Sequence, residues 1–153
     1  MICTLPEKKL PNLMNILFVC VANSARSQLA EALAKHILPT SFNIKSAGSE
    51  PTKVNPLTIE TLKNENLETK DLYSKSFNDL DSDFFNCLDF VISLCAEENC
   101  PVLPIRTKHL HWPIKDPSTP LNLSDSEKLK QFTEAKNSIE NHIFDFKKTY
   151  LHN

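Results

Sequence analysis

The apolar residues of this chain fall into two kinds of run. Behind Asn15, residues 16–20 (ILFVC) are apolar without a break. That is the pattern of a strand buried on both faces, as in a parallel sheet. Residues 27–38 follow with Leu29, Ala30, Leu33 and Ile37 at helical spacing, and Pro39 stops the helix. Residues 42–46 predict a short second strand, residues 88–94 (LDFVISL) a clear further one, and residues 108–112 another. Asn55-Pro56 predicts a helix start, because Asn caps and Pro is tolerated in the first turn, and this helix is expected to run to about Asn66. Ser124-Asp125-Ser126-Glu127 matches a capping box. Behind it, Phe132, Ala135, Ile139, Ile143 and Phe146 form a regular stripe, which predicts a long amphipathic C-terminal helix. Strands alternating with helices imply an α/β domain with a mainly parallel sheet, where ligands bind at the carboxyl ends of the strands. Residues 1–13 read as a polar extension and residues 14–153 as one domain, without internal repeats or a linker.

Composition narrows the function. With 153 residues, 41% hydrophobic and 24% charged, the chain can bury one core and is neither collagen-like nor low-complexity. Seventeen basic and nineteen acidic residues leave a net charge of -2, which argues against nucleic acid as a partner. No apolar run approaches the roughly 20 residues of a membrane span, and the first residues lack the apolar segment of a signal peptide. A cytoplasmic protein is expected, in which the five cysteines, Cys3, Cys20, Cys87, Cys95 and Cys100, read as thiols. One glycine among ten prolines excludes a glycine-rich nucleotide loop.

The segment with chemistry in it is Cys20-Val21-Ala22-Asn23-Ser24-Ala25-Arg26-Ser27, a C-x5-R followed by Ser. A thiol leaves the end of a strand and a helix begins within a few residues. The backbone N–H groups between can curl into an anion nest at the positive end of the helix dipole. Arg26 adds a planar fork suited to a tetrahedral oxyanion, and Ser27 is placed to hydrogen-bond the sulfur. Such a field favours a thiolate facing its bound substrate. The bland alternative is a buried structural Cys near a surface Arg. Cys95 and Cys100, read alone, are buried small residues or a weak metal pair with His109 and His111; the H-x-H spacing is poor for a closed zinc site, and no metal is expected. Cys3 and Cys87 receive no role, and His36 reads as a surface residue at a helix end.

FVCVANSARSQLAEAL resembles the phosphate-binding loop and first helix of the low-molecular-weight protein tyrosine phosphatase superfamily, and within it the chain is similar to the arsenate reductases. SAGSEP at Ser46 to Pro51, VNP at Val54 to Pro56, VISLCAEENCPVLP at Val91 to Pro104 and HWPIKDP at His111 to Pro117 extend the match in order. The resemblance implies a three-layer α/β/α flavodoxin-like fold with a four-stranded parallel sheet. It implies Cys20 as nucleophile, Arg26 as oxyanion clamp, Asn23 shaping the loop in a left-handed conformation, and residues 21–27 cradling the oxyanion. Asp116 would be the general acid, although in KDPS it also reads as a turn residue. In thioredoxin-coupled reductases the loop thiolate forms an adduct with arsenate, a second cysteine attacks the first and releases arsenite, and a third carries the disulfide to the surface. Cys95 matches the second role and Cys100 the third. The implied reductant is external: thioredoxin, or glutathione with glutaredoxin. The implied partners are arsenate or phosphate and thioredoxin, on a monomer. A phosphatase using Cys20, Arg26 and Asp116 alone is the alternative.

Four departures from the pattern bear on this. Ala22 stands where many relatives have Gly. The Cys95–Cys100 gap is short, so part of the segment is expected to unwind before the sulfurs meet. Ser118 replaces a Tyr that frames aromatic substrates in many phosphatases, which favours a small inorganic oxyanion. Some reductases bind potassium through equivalents of Asn23, Glu31 and Ser46; here Lys75 stands where a further carboxylate is expected, and its ammonium could replace the ion. Trp112, Phe84 and Phe85 read as core.

Overall fold

The computed structural model describes residues 13–97 and 100–151. Cys3 and nearly all of the expected extension lie outside the described residues. The elements are β1 (Met14–Cys20), α1 (Arg26–Ile37), β2 (Phe42–Gly48), α2 (Pro56–Asn64), a 3-10 turn (Phe77–Asp79), α3 (Ser82–Asn86), β3 (Phe90–Cys95), β4 (Lys108–Ile114) and α4 (Asp125–Tyr150). The sheet is all parallel, in the order β2-β1-β3-β4. β1 is therefore central, which is why six of its seven residues are buried. Its alternate residues feed two cores. Ile16 and Phe18 join Ile44, Phe90, Ile92 and Leu94 beneath α1 and α4. Leu17 and Val19 join Ala47, Val91, Phe84 and Leu88 on the other face. The C-terminal stripe lies fully on the sheet side, and Phe146 contacts Phe42, Phe90, Trp112 and Tyr150.

Local signals explain the boundaries. The Asn55 side chain accepts the Leu57 N–H at 2.9 Å and Pro56 opens α2. That helix ends two residues before the expected Asn66, which instead adopts φ 60° while Leu67 N–H donates back to the Leu62 carbonyl. At α4, Ser124 Oγ accepts the Glu127 N–H and donates to Glu127 Oε1. The five-residue α3 and the Ser76–Asp79 capping box before it escaped the sequence reading, because neither is long enough to show a period. Together with residues 103–105 they form a thin third layer. No described helix is long and apolar enough to cross a membrane.

Candidate active site

Cys20 is the last residue of β1, and α1 starts six residues later at Arg26. The loop between them is held by its carbonyl oxygens. Val21 O accepts from Glu50 N–H at 2.9 Å and Ala22 O from Thr52 N–H at 3.1 Å. Asn23 O accepts from Ser74 Oγ at 2.7 Å and Gln28 Nε2 at 3.1 Å. Ser24 O accepts from Asn55 N–H at 2.9 Å and Thr58 Oγ1 at 2.8 Å. In a trans peptide the C=O and the following N–H point in opposite directions. With four consecutive carbonyls turned outward to protein, the N–H groups of residues 22–25 face the other way, into the concavity above Cys20. A loop turned this way can serve as an anion nest. Gly48, the chain's one glycine, lets β2 pass beneath it: a Cβ there would collide with the Val21 carbonyl oxygen and sit 3.0 Å from Asn23 N.

Asn23 is the turning point, at φ 50°, as expected of an Asn in this loop. Ala22 is not among the positive-φ residues, so the backbone conformation does not call for glycine there. Both ends of the Asn23 amide are engaged. Oδ1 accepts from Gln28 Nε2 at 2.9 Å and Lys75 N–H at 3.0 Å; Nδ2 donates to Ser27 Oγ at 2.8 Å and Ser46 Oγ at 3.0 Å. Because Ser27 Oγ accepts from Asn23, its own hydrogen is free for Cys20 Sγ, 2.7 Å away. Cys20 is 3% exposed and is a free thiol. Ser46 passes its hydrogen to Glu31 Oε1 at 2.8 Å. Glu31 is buried, which alone would raise its pKa, but Lys75, Lys35 and the Ser46 hydrogen bond outweigh burial and hold it below the ordinary carboxylate value. Burial pulls the Lys75 ammonium below its usual value against the attraction of Glu31. Lys75 Nζ lies 3.3 Å from Glu31 Oε1 and 4.6 Å above the Tyr73 ring. These residues do not fit a potassium ion: Glu31 and Asn23 have spent their oxygens on protein donors, and the Lys75 ammonium already supplies the positive charge.

Arg26 Nη1 donates to the Ile114 carbonyl at the end of β4 and to Glu97 Oε1, both at 2.8 Å. Cys20, Arg26, Glu97, Asp116 and Ser118 line one cavity of about 260 Å3 with the loop. Asp116 therefore faces the thiol's cavity and also makes the turn its sequence suggested: Oδ1 accepts from Ser118 N–H at 2.9 Å and Ser118 Oγ at 2.6 Å. Cys95 closes β3, directly beside β1, so Cys20 and Cys95 end adjacent strands. Cys95 is bridged to Cys100 by a disulfide with a Cα–Cα distance of 5.4 Å. In this bridged state the described residues of the segment, 96–97 inside the ring and 101–105 beyond it, are not helical. Among the described residues no His/Cys/Asp/Glu cluster could hold a metal ion. His109 instead bonds the Ile105 carbonyl and His111 bonds Ser93. Trp112 and Phe84 are buried in the two cores.

Sequence reasoning missed Glu97, Gln28 and Gly48. A polar Gln inside the buried stripe of a helix was a signal for the second. A lone glycine immediately after Ser46-Ala47 was a signal for the third. Nothing in the spacing pointed to Glu97.

Residues 15–150 match the family described as low molecular weight phosphotyrosine protein phosphatase. The chain belongs to this family. Arsenate reductase 1 of Staphylococcus haemolyticus is 36% identical over 138 residues, covering 89% of this chain and 96% of the relative. Arsenate reductase of Staphylococcus aureus strain N315 is 35% identical over 134 residues, 86% of this chain and 95% of the relative. Among solved structures, the thioredoxin-dependent arsenate reductase of Corynebacterium glutamicum superposes with a TM-score of 0.68 at 28% identity, over 91% of this chain but only 62% of that one. An arsenate reductase of Archaeoglobus fulgidus gives 0.66 at 25% identity, covering 84% of this chain and 98% of that one. As a member of the low molecular weight phosphatase family, the chain thus resembles the family's reductases along almost its whole length.

Proposed function

We propose that this protein reduces arsenate to arsenite through a three-cysteine relay, and that it does so in the cytoplasm with an external dithiol of the thioredoxin type as reductant. The observation that carries this is the Cys95–Cys100 disulfide at the strand end next to a free Cys20 in an anion nest. Hydrolysis of a phosphoester has no use for that disulfide. The nest of residues 21–27 and the Arg26 fork hold the oxyanion. Cys20 Sγ attacks arsenic while Asp116 protonates the departing oxygen, which leaves as water. Cys95 then attacks Cys20 Sγ. The S–As bond breaks, its electron pair stays on arsenic as As(V) becomes As(III), and arsenite leaves. The Cys20–Cys95 disulfide passes to Cys95–Cys100 when Cys100 attacks Cys95, which frees Cys20. In the final disulfide Cys95 is fully buried and Cys100 is partly exposed. The external thiolate therefore enters at Cys100 and Cys95 is the leaving thiol.

A phosphatase reading rests on the same cavity, since Cys20, Arg26 and Asp116 are all it requires. The test is arsenate-dependent NADPH oxidation coupled through thioredoxin reductase and thioredoxin, and separately through glutathione and glutaredoxin. Wild type, Cys20→Ser, Cys95→Ser and Cys100→Ser are compared, with an aryl phosphate in parallel. Turnover lost in all three variants supports the relay. Aryl phosphate hydrolysis that needs only Cys20, without arsenate turnover under either reductant, refutes it.

A further inference from the structure

Arg26 is the one guanidinium in the thiol's cavity, and part of it is already taken. Nη1 carries two hydrogens. One goes to the Ile114 carbonyl and the other to Glu97 Oε1, each at 2.8 Å. The Arg26 side chain is 9% exposed and that of Glu97 41%. The carboxylate thus enters from the solvent side onto a buried cation, as an incoming oxyanion would. It also lines the same cavity as Cys20 and Asp116. The Glu97 carboxylate thus occupies the guanidinium where a doubly charged arsenate or phosphate has to sit. Glu97 lowers the net charge the anion meets and would repel it directly.

Glu97 stands two residues beyond Cys95, inside the small ring that the Cys95–Cys100 disulfide closes. A closed ring confines the carboxylate near Arg26 at a high effective concentration, and an open one releases it to compete as an ordinary flexible side chain. We propose that Glu97 is an internal competitor for Arg26, held in the oxyanion cavity by the Cys95–Cys100 disulfide, so that the oxidised protein rejects arsenate and phosphate until the ring is opened. Opening is a two-electron step: an external dithiol becomes a disulfide, and the two ring sulfurs each leave as a thiol with one proton. The anion would then find Arg26 unblocked only when Cys95 and Cys100 are both available for the relay. An arsenate ester formed on Cys20 without them could not be resolved. This rests on the reading of the cavity as an oxyanion site.

The experiment is calorimetric titration with inorganic phosphate, which binds without consuming thiols. Four proteins are compared: wild type and Glu97→Gln, each with the disulfide closed and each with the ring kept open by Cys100→Ser. Closed wild type is expected to bind phosphate about three- to tenfold more weakly than closed Glu97→Gln, the range between an exposed ion pair and a charge-assisted hydrogen bond. With the ring open, the same substitution is expected to change affinity by less than about twofold. Equal binding by the two closed proteins overturns the proposal. So does a tightening of equal size in closed and open forms, which would mark Glu97 as a general negative charge rather than a tethered competitor. Weaker binding by closed Glu97→Gln overturns it too, since Glu97 would then be orienting Arg26 for the anion. In those three outcomes the open wild type still binds phosphate and the oxyanion site stands. Failure of every form to bind phosphate overturns the oxyanion reading and the competitor with it.

Discussion

Replacing Lys75 by Met tests whether the charge behind the loop is structural. Lys75 and Glu31 are both nearly inaccessible, with side chains 6% and 4% exposed. Removing one member of a buried pair costs about 3–5 kcal/mol, because the other charge is left behind. Here the remaining charge is not alone: Lys35 donates to Glu31 Oε2 at 3.0 Å, but it is half exposed, which limits its compensation to at most about 1 kcal/mol. Lys75→Met is therefore expected to cost about 2–4 kcal/mol in urea unfolding at neutral pH, with the slope against denaturant unchanged. For a domain of this size that corresponds to a fall in Tm of roughly 4–16 °C. The Lys75→Met/Glu31→Gln double variant removes the stranded charge. It is expected to be at least about 1 kcal/mol more stable than the sum of the two single changes predicts. A loss below about 1 kcal/mol for Lys75→Met, or strict additivity of the pair, would refute the reasoning.

Acid should act through the same carboxylate. The folded pKa of Glu31 is below its unfolded value, so its contribution is complete above about pH 4.5 and is lost as pH falls through the folded value. Unfolding free energies measured from pH 6 to pH 3 should therefore fall faster for wild type than for Lys75→Met/Glu31→Gln. Parallel curves would count against that assignment. Gly48→Ala must push its Cβ into the Val21 carbonyl, so it should destabilise the fold by about 1–3 kcal/mol and weaken phosphate binding to the open ring; an unperturbed phosphate affinity would mean that the loop does not lean on β2 as described. Ser27→Ala removes the hydroxyl 2.7 Å from Cys20 Sγ and should slow alkylation of Cys20 by iodoacetamide at neutral pH severalfold, whereas an unchanged rate would show that the reactivity of Cys20 does not depend on that hydroxyl.

The central strands β1 and β3 were legible because they are buried on both faces: a run such as ILFVC has few other places to go. The long helix α4 was legible from a stripe of five residues, each of which lies in the core. Sequence motifs also brought Cys20, Arg26 and Asp116 to one cavity, since each sits at or just beyond a strand's carboxyl end or at the adjoining helix start. The thin third layer was not legible. It consists of a 3-10 turn, a five-residue helix and an irregular segment, which are specified by what they cover rather than by any period of their own. Glu97 was invisible for a related reason. Its partner lies 71 residues away, and only the path of the chain after β3 brings the two together. Lys75 could be placed near Glu31 only through the resemblance; the structure adds that its backbone N–H also pins Asn23.

The outward-turned carbonyls of the loop set a limit on its portability. Val21, Ala22, Asn23 and Ser24 are fastened by donors from residues 50, 52, 55, 58 and 74, beyond the help of Gln28 in α1. The eight residues from Cys20 to Ser27, moved to another strand–helix junction, would leave those fastenings behind. The peptide planes would be free to rotate, and the amides would no longer converge. A transplant that binds an anion would have to carry two further stretches, 48–58 and 74–75, in register with the first. The smallest transferable unit of this site is thus a set of three chain segments, not a single short sequence.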